Sequence, residues 1–314
     1  MTQSLVAIGY QDNWVQILGS SFMRNALLGG TIVALAAGLM GYFIVVRNSS
    51  FAAHALAHIG LPGATGAVLL GLPAALGLGV FCVAGALAIG ALGKRASDRD
   101  VATGTVLAFA TGLGLFFNSL ATRNSSTLTN VLFGNLLAIT GRQLIGFLVL
   151  LVVLAACMAF IYRPLLFTSV NSQVAEAKGV PVRGLSIVFM VLLAITVTMA
   201  VQAVGTLLLF ALVVTPAATA LVITARPVAA MAVSAGIGLF SVWAGLALAA
   251  MFNLPPSFVI VTVACGVWLA VWLVGRMPRP GRTSTASAGA STNLGEHVQE
   301  SSAETPRDPG LTRR

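Results

Sequence analysis

The stretch "MRNALLGGTIVALAAGLMGYFIVVRNSS" occupies residues 23–50. Between Arg24 and Arg47 it carries no charged residue, and it stops at "RNSS". As an α-helix rising ~1.5 Å per residue, such a run spans about 30 Å, the thickness of the hydrocarbon core of a bilayer. The run is apolar on every side rather than along one stripe, so it predicts a membrane-crossing helix and not a surface helix of a soluble domain.

Outward from residues 23–46 the pattern repeats. Further apolar runs cover about 52–70, 73–93, 101–121, 144–162, 185–202, 203–225, 227–252 and 258–274, each bounded by charge or turn residues. Only helices and closed barrels satisfy the backbone in lipid, and these runs are too long and continuous for barrel strands. The fold class is therefore an all-α integral membrane protein, a polytopic bundle of eight or nine transmembrane helices. The count is open at 185–225, where two runs follow each other almost without a break and one segment is expected to be short or re-entrant. The domains are a short N-terminal segment (1–21), a transmembrane domain (22–276) and a tail (277–314). The tail is rich in Ser, Thr, Ala and Gly and nearly free of large apolar residues, so it is expected to be disordered and cytoplasmic.

Composition agrees. Hydrophobic residues make up 58% of the chain and charged residues 8%, against about 25% charge in soluble domains. The net charge of +9 is spread over residues such as Arg47, Lys94, Arg163 and Arg226 at the ends of apolar runs, the pattern of membrane-flanking charge; it forms no basic stripe for nucleic acid. Basic loops at 94–99, 163–183, 226 and 276–282 should share the cytoplasmic side, placing the protein as a multi-pass chain in the plasma (inner) membrane. Cys82, Cys157 and Cys265 stand alone in apolar runs and read as small buried hydrophobes.

Chemistry has few places to reside. Up to residue 275 the only acids are Asp12, Asp98, Asp100 and Glu176, none in the middle of a span. This weighs against a proton-coupled carrier built on intramembrane carboxylates. No Walker-type phosphate loop is present, so ATP-driven transport would need a separate ATPase. There is no nucleophile–base pair, no paired carboxylates and no HExxH, so no enzyme is expected.

"FAAHALAHIGLPGATG" (51–66) is the exception. His54 and His58 are four residues apart, one helical turn along and about 40° around the axis, so both imidazoles can reach one cation. Neutral imidazole suits zinc as well as manganese, iron, copper or nickel. The competing reading is that both rings hydrogen-bond inside the bundle. Pro62 removes a backbone donor, and Gly60, Gly63 and Gly66 allow close backbone approach, either around a cavity or in plain small-residue packing. Two other segments stand out. In "TSVNSQVAEAKGVPVRG" (168–184), Asn171 or Ser172 can cap a short amphipathic helix with Val174, Ala175 and Ala177 as apolar positions, Glu176 within it and Gly179 as its stop. That helix is a docking element for a soluble partner or an element lying on membrane lipid. In "VQAVGTLLLFALVVTPAATA" (201–220), the amide of Gln202 and the break at Thr215–Pro216 either face a path or mark a packed kink.

Taken in order, four segments resemble the permease subunit of zinc- and manganese-type ABC importers. They are "FAAHALAHIGLPG", "VLFGNLLAIT" (131–140), "SVNSQVAEAKGVPVRGL" and "VQAVGTLLLFALVVTPAATA", spread over residues 22–275. The resemblance implies a homodimer, a cytoplasmic ATP-binding subunit docked on 163–184, and an extracytoplasmic metal-binding protein that delivers the ion. It implies no resident cofactor, the metal being cargo. His58 falls on the family histidine and His54 on a family aspartate, a departure that should favour zinc over manganese; Asn171 stands for the usual Asp of the coupling helix. The function expected is import of divalent metal, zinc first. Manganese or iron import by the same kind of system, an ATP-independent secondary metal carrier, and a chelate permease of related fold are the alternatives.

Overall fold

The computed structural model describes residues 14–92, 96–120, 125–206 and 208–276. The expected tail, 277–314, lies outside the described residues. Twelve α-helices and one short 3-10 turn are found among the described residues, with no strand. In chain order they are α1 (Trp14–Gly19), α2 (Ser21–Val46), α3 (Ser50–Leu69), α4 (Ala74–Leu92), α5 (Ala96–Leu120), α6 (Ser125–Phe133), α7 (Gly141–Val170), α8 (Ser172–Ala177), α9 (Val182–Val204), α10 (Leu209–Ile223), α11 (Pro227–Phe252) and α12 (Pro256–Arg276). The 3-10 turn covers Leu136–Ala138.

Each of the nine apolar runs is a helix. Seven are long and apolar enough to cross a membrane: α2, α4, α5, α7, α9, α11 and α12. α3 has 20 residues, about 30 Å of rise, but its histidines, Pro62 and glycines dilute its apolar character. α10 has only 15 residues and is the short segment expected within 185–225.

α2 is the central helix. It packs against α11, α10, α7 and α9, and small residues let it do so. A methyl on Gly38 would sit 2.5 Å from the Cα and Cβ of Ala235 in α11, and one on Gly41 would sit 2.8 Å from Val213 O and Ala217 Cβ in α10. In lipid there is no hydrophobic gain from burying apolar faces against each other, so close packing at small residues holds helices together. α3 and α4 cross in the same way: a methyl on Gly63 would collide with the carbonyl of Gly77, and one on Gly77 with that of Gly63. Side chains such as Leu148, Val152 and Phe160 of α7 and Phe258 and Leu273 of α12 point outward, as a lipid-facing surface requires.

Several expectations need correction. The fifth span does not end at Tyr162; α7 continues through Arg163 and Pro164 to Val170. Arg163 and Pro164 mark where apolar character fades, and a helix can extend past the lipid. The polar connection after α5 contains a helix of its own, α6. Of the three apolar positions assigned to the short helix at 172–177, only Ala175 is buried; Val174 is 44% exposed and Ala177 is exposed. Cys82 is buried and its thiol donates to Leu56 O at 3.2 Å, but Cys265 is exposed on α12, where lipid is as good a neighbour as protein for a small apolar side chain.

Candidate functional site

α3 carries the histidines into the bundle. It packs on α4, α5, α9 and α10, and its faces at Ala52, Ala53, Ala55, Leu56 and Ala57 are buried. His54 and His58 are half-buried. Their rings meet edge to face, with centroids 4.8 Å apart and planes at 71°. Nδ1 of His54 is buried and makes no hydrogen bond, an atom that normally demands a partner. The ring separation suits ordinary edge-to-face packing of two rings and also two imidazoles on one ion. With Zn–N bonds of ~2.0–2.1 Å and roughly tetrahedral opening, two imidazoles on one zinc have centroids about 5 Å apart.

Pro62 lies one turn further along α3 and is buried. It has no N–H to give the carbonyl of His58, four residues earlier, so that oxygen is left unclaimed by the regular helical ladder. No group of three or more His, Cys, Asp or Glu able to hold a metal occurs among the described residues.

Gln202 is placed elsewhere. It sits near the end of α9, about 30 Å of helix from Val182. Its Nε2 donates to Thr198 O at 3.1 Å, which turns the amide oxygen away from the helix backbone. A cavity of about 240 Å³ there is lined by Asn130, Asn135, Gln143 and Gln202 among apolar residues. A larger, mostly apolar cavity of about 720 Å³ adjoins it between α4, α7 and α9, also reached by Gln143 and Gln202. Neither cavity is lined by His54 or His58. Gln143 is fixed by a capping box at the start of α7, where its side-chain oxygen accepts from Thr140 N at 3.0 Å.

The segments "VLFGN" and "AVGT" meet at this end. Thr206 N donates to Val131 O at 3.0 Å. Gly134 (φ +72°) and Gly205 (φ +85°) adopt conformations that favour glycine. A methyl on Gly205 would collide with the carbonyl of Leu132 and lie 2.5 Å from Gly134 N. The bond from Thr206 N to Val131 O ties the two irregular segments together. Both glycines are visible in the sequence, but nothing there says that they touch.

Thr215 and Pro216 lie inside α10. Pro216 is buried, between Val213 and Ala217, which pack on Gly41 of α2, and Thr219 donates to Thr215 O at 2.8 Å. The break is thus a packed one.

Residues 171–180 form an elbow between α7 and α9. Asn171 caps α8, its side-chain oxygen accepting from Val174 N at 3.1 Å. Gly179 (φ +81°) ends the helix: its N–H donates to Glu176 O at 2.9 Å, and Val180 N–H donates to Ala175 O at 3.1 Å. This double bond pattern is a Schellman stop. Ala175 is the buried anchor, and Glu176 and Gly179 are exposed. One set of long-range contacts escaped the sequence reading. Arg47 is not a solvated flank but a half-buried group bonded to the elbow: Nη1 donates to Thr168 and Ser169 at 3.1 and 3.2 Å, and Nη2 to Ser186 at 3.1 Å.

The described residues thus form a bundle of apolar helices with a short capped elbow between two of them, and comparison with known proteins gives its class, a membrane permease of the ABC importer type. The sequence profile of the ABC 3 transport family matches residues 20–275, and the chain belongs to that family, the metal ABC transporter permeases. It is 32% identical over 200 residues to the manganese transport system membrane protein MntC of Listeria monocytogenes, covering 63% of this chain and 71% of the relative. It is 33% identical over 204 residues to the manganese import system permease protein ScaB of Streptococcus parasanguinis, covering 63% and 71%. Among solved structures, PsaBC from Streptococcus pneumoniae in complex with Fab superposes with a TM-score of 0.74 at 29% identity, over 83% of this chain and 94% of that one.

Proposed function

We propose that this chain is the membrane subunit of an ATP-driven importer of divalent metal, with zinc as cargo. The observation that carries the reading is the His54–His58 pair: two imidazoles 4.8 Å apart at their centroids, with a buried nitrogen on His54 that has no partner. A cation leaving the outer amide-lined cavity would exchange waters for these nitrogens and pause there. Residues 22–276 act as the permease and 277–314 as a cytoplasmic tail. The α8 end faces the cytoplasm, where an ATP-binding subunit docks on the elbow through Asn171, Ala175, Glu176 and Gly179. A metal-binding protein delivers ions at the opposite end, near Gln202. The chain works as a homodimer embedded in lipid, and ATP turnover in the docked subunits alternates access.

Manganese is the second reading, favoured by the names of the relatives. The test is uptake into proteoliposomes holding this chain, its ATP-binding partner and its delivery protein. ATP-dependent accumulation of labelled zinc that excess manganese does not suppress supports the proposal. Manganese outcompeting zinc replaces it with the second reading, and uptake by the chain without any ATPase makes it a secondary carrier.

A further inference from the structure

We infer that Arg47 is a positioning residue that ties the docking elbow to the helix bearing the histidines, so that movement of the elbow is carried into α3. The inference rests on the reading of α8 as the docking element. α8 touches α7 and α9, so a partner pushing on it moves the last turn of α7 and the first turns of α9. The Arg47 guanidinium grips both. Nη1 takes the Thr168 and Ser169 hydroxyls of α7, and Nη2 takes the Ser186 hydroxyl of α9. Its carbon lies 5.0 Å from the ring centre of Phe189, also on α9.

The grip is built to hold. Thr168 and Ser169 themselves donate to Leu165 O at 3.0 and 2.6 Å, so each hydroxyl both gives and receives, and such chains polarise one another. The guanidinium also lies where α2 and α7 end. A lysine could offer the charge but not a planar fork reaching both helices.

On the other side of Arg47 the chain is short and closed. Asn48 takes the left-handed conformation (φ +52°). Asn48 N donates to Val45 O at 3.1 Å, Ser49 N to Ile44 O at 2.8 Å and Ala53 N to Ser49 O at 3.0 Å. Buried Ser49 adds a bond from its hydroxyl to Arg47 O at 3.2 Å. Helix α2 therefore stops and α3 starts within a turn that has no slack, and His54 lies one turn beyond Ser50. A displacement of the guanidinium moves the origin of the histidine helix with it.

The test compares uptake and ATP hydrolysis in the same proteoliposomes for wild type, Arg47→Gln and Arg47→Lys. The ATP-binding partner should still co-purify and hydrolyse ATP. Metal moved per ATP should fall at least about tenfold in Arg47→Gln, as expected when hydrogen bonds from a charged group are lost, and Arg47→Lys should recover only part of it. Joint loss of docking and hydrolysis would make Arg47 a merely structural residue and overturn the inference, as would a wild-type transport ratio in Arg47→Gln. If Arg47→Gln fails to accumulate, the double variant Ser169→Ala/Ser186→Ala decides, because it keeps the arginine and removes two of the three hydroxyls that link it to α7 and α9; an unchanged ratio there overturns the inference. A further readout separates this idea from the transport reading. Amide hydrogen exchange over residues 48–58 of the purified chain should rise in both variants, even if wild type moves no metal; unchanged exchange refutes the link.

Discussion

Replacing Gly205 with alanine tests the claim that two segments distant in the chain interlock at one end of the bundle. Gly205 sits at φ +85° and ψ 168°, a region that side chains avoid at a cost of ~1–3 kcal/mol. The added methyl would also collide with the Leu132 carbonyl and press on Gly134 N at 2.5 Å. Both neighbours are backbone, so relief requires the segments to separate, and overpacking of this kind costs ~1–3 kcal/mol. Separation would also strain the bond from Thr206 N to Val131 O. Together the cost is about 2–6 kcal/mol, and at about 2–4 °C per kcal/mol for a chain of this size the midpoint falls by ~10 °C. Thermal unfolding of the detergent-purified protein measures it. Gly184→Ala is the control: nothing lies within 4 Å of its methyl, and in a helix the change should be neutral or stabilising by up to ~1 kcal/mol. Equal midpoints for Gly205→Ala and Gly184→Ala would refute the interlock.

Other substitutions address the path and the elbow. His54→Ala with His58→Ala should lower initial zinc uptake by at least about ten- to hundredfold, the scale of losses at metal sites, with unchanged membrane yield; a wild-type rate removes the ligand role. Gly179→Val forces a β-branched residue to φ +81°, at a local cost of ~1–2 kcal/mol. It should reduce co-purification of the ATP-binding partner while the thermal midpoint of the isolated chain moves little, because α8 is largely exposed. Thr206 has a buried hydroxyl with no partner, so Thr206→Val should leave stability equal or raise it by ~1 kcal/mol; a clear drop in midpoint would show that the hydroxyl has a partner.

The bundle was legible because lipid imposes one rule on every span: a long run without charge must be a helix. That rule located nine helices and even the short one, α10. It failed at Tyr162, because hydropathy detects the edge of the lipid and not the end of a helix, and α7 runs on for two more turns. The short helix at 172–177 was legible from its caps, since Asn171 and Gly179 act on their own neighbours in the chain. Its apolar side was not, because six residues offer too few positions to fix which of them face the protein. The His54–His58 spacing was likewise local: one turn apart on α3, the two rings lie side by side with centroids 4.8 Å apart. Arg47 and Gly205 were opaque for the opposite reason. Their partners lie far away in the chain, and a charge beside an apolar run reads the same whether it faces water or three hydroxyls.

The interlock of residues 131–134 with 204–206 has a consequence for how the protein is made. Val131 leaves the ribosome long before Thr206 exists. At about 5–20 residues per second the delay is on the order of several seconds. During that interval the carbonyl of Val131 and the backbone around Gly134 need other partners, supplied by water or by the insertion machinery. The end of the bundle that holds Gly134 and Gly205 is therefore completed only after α9 has been made.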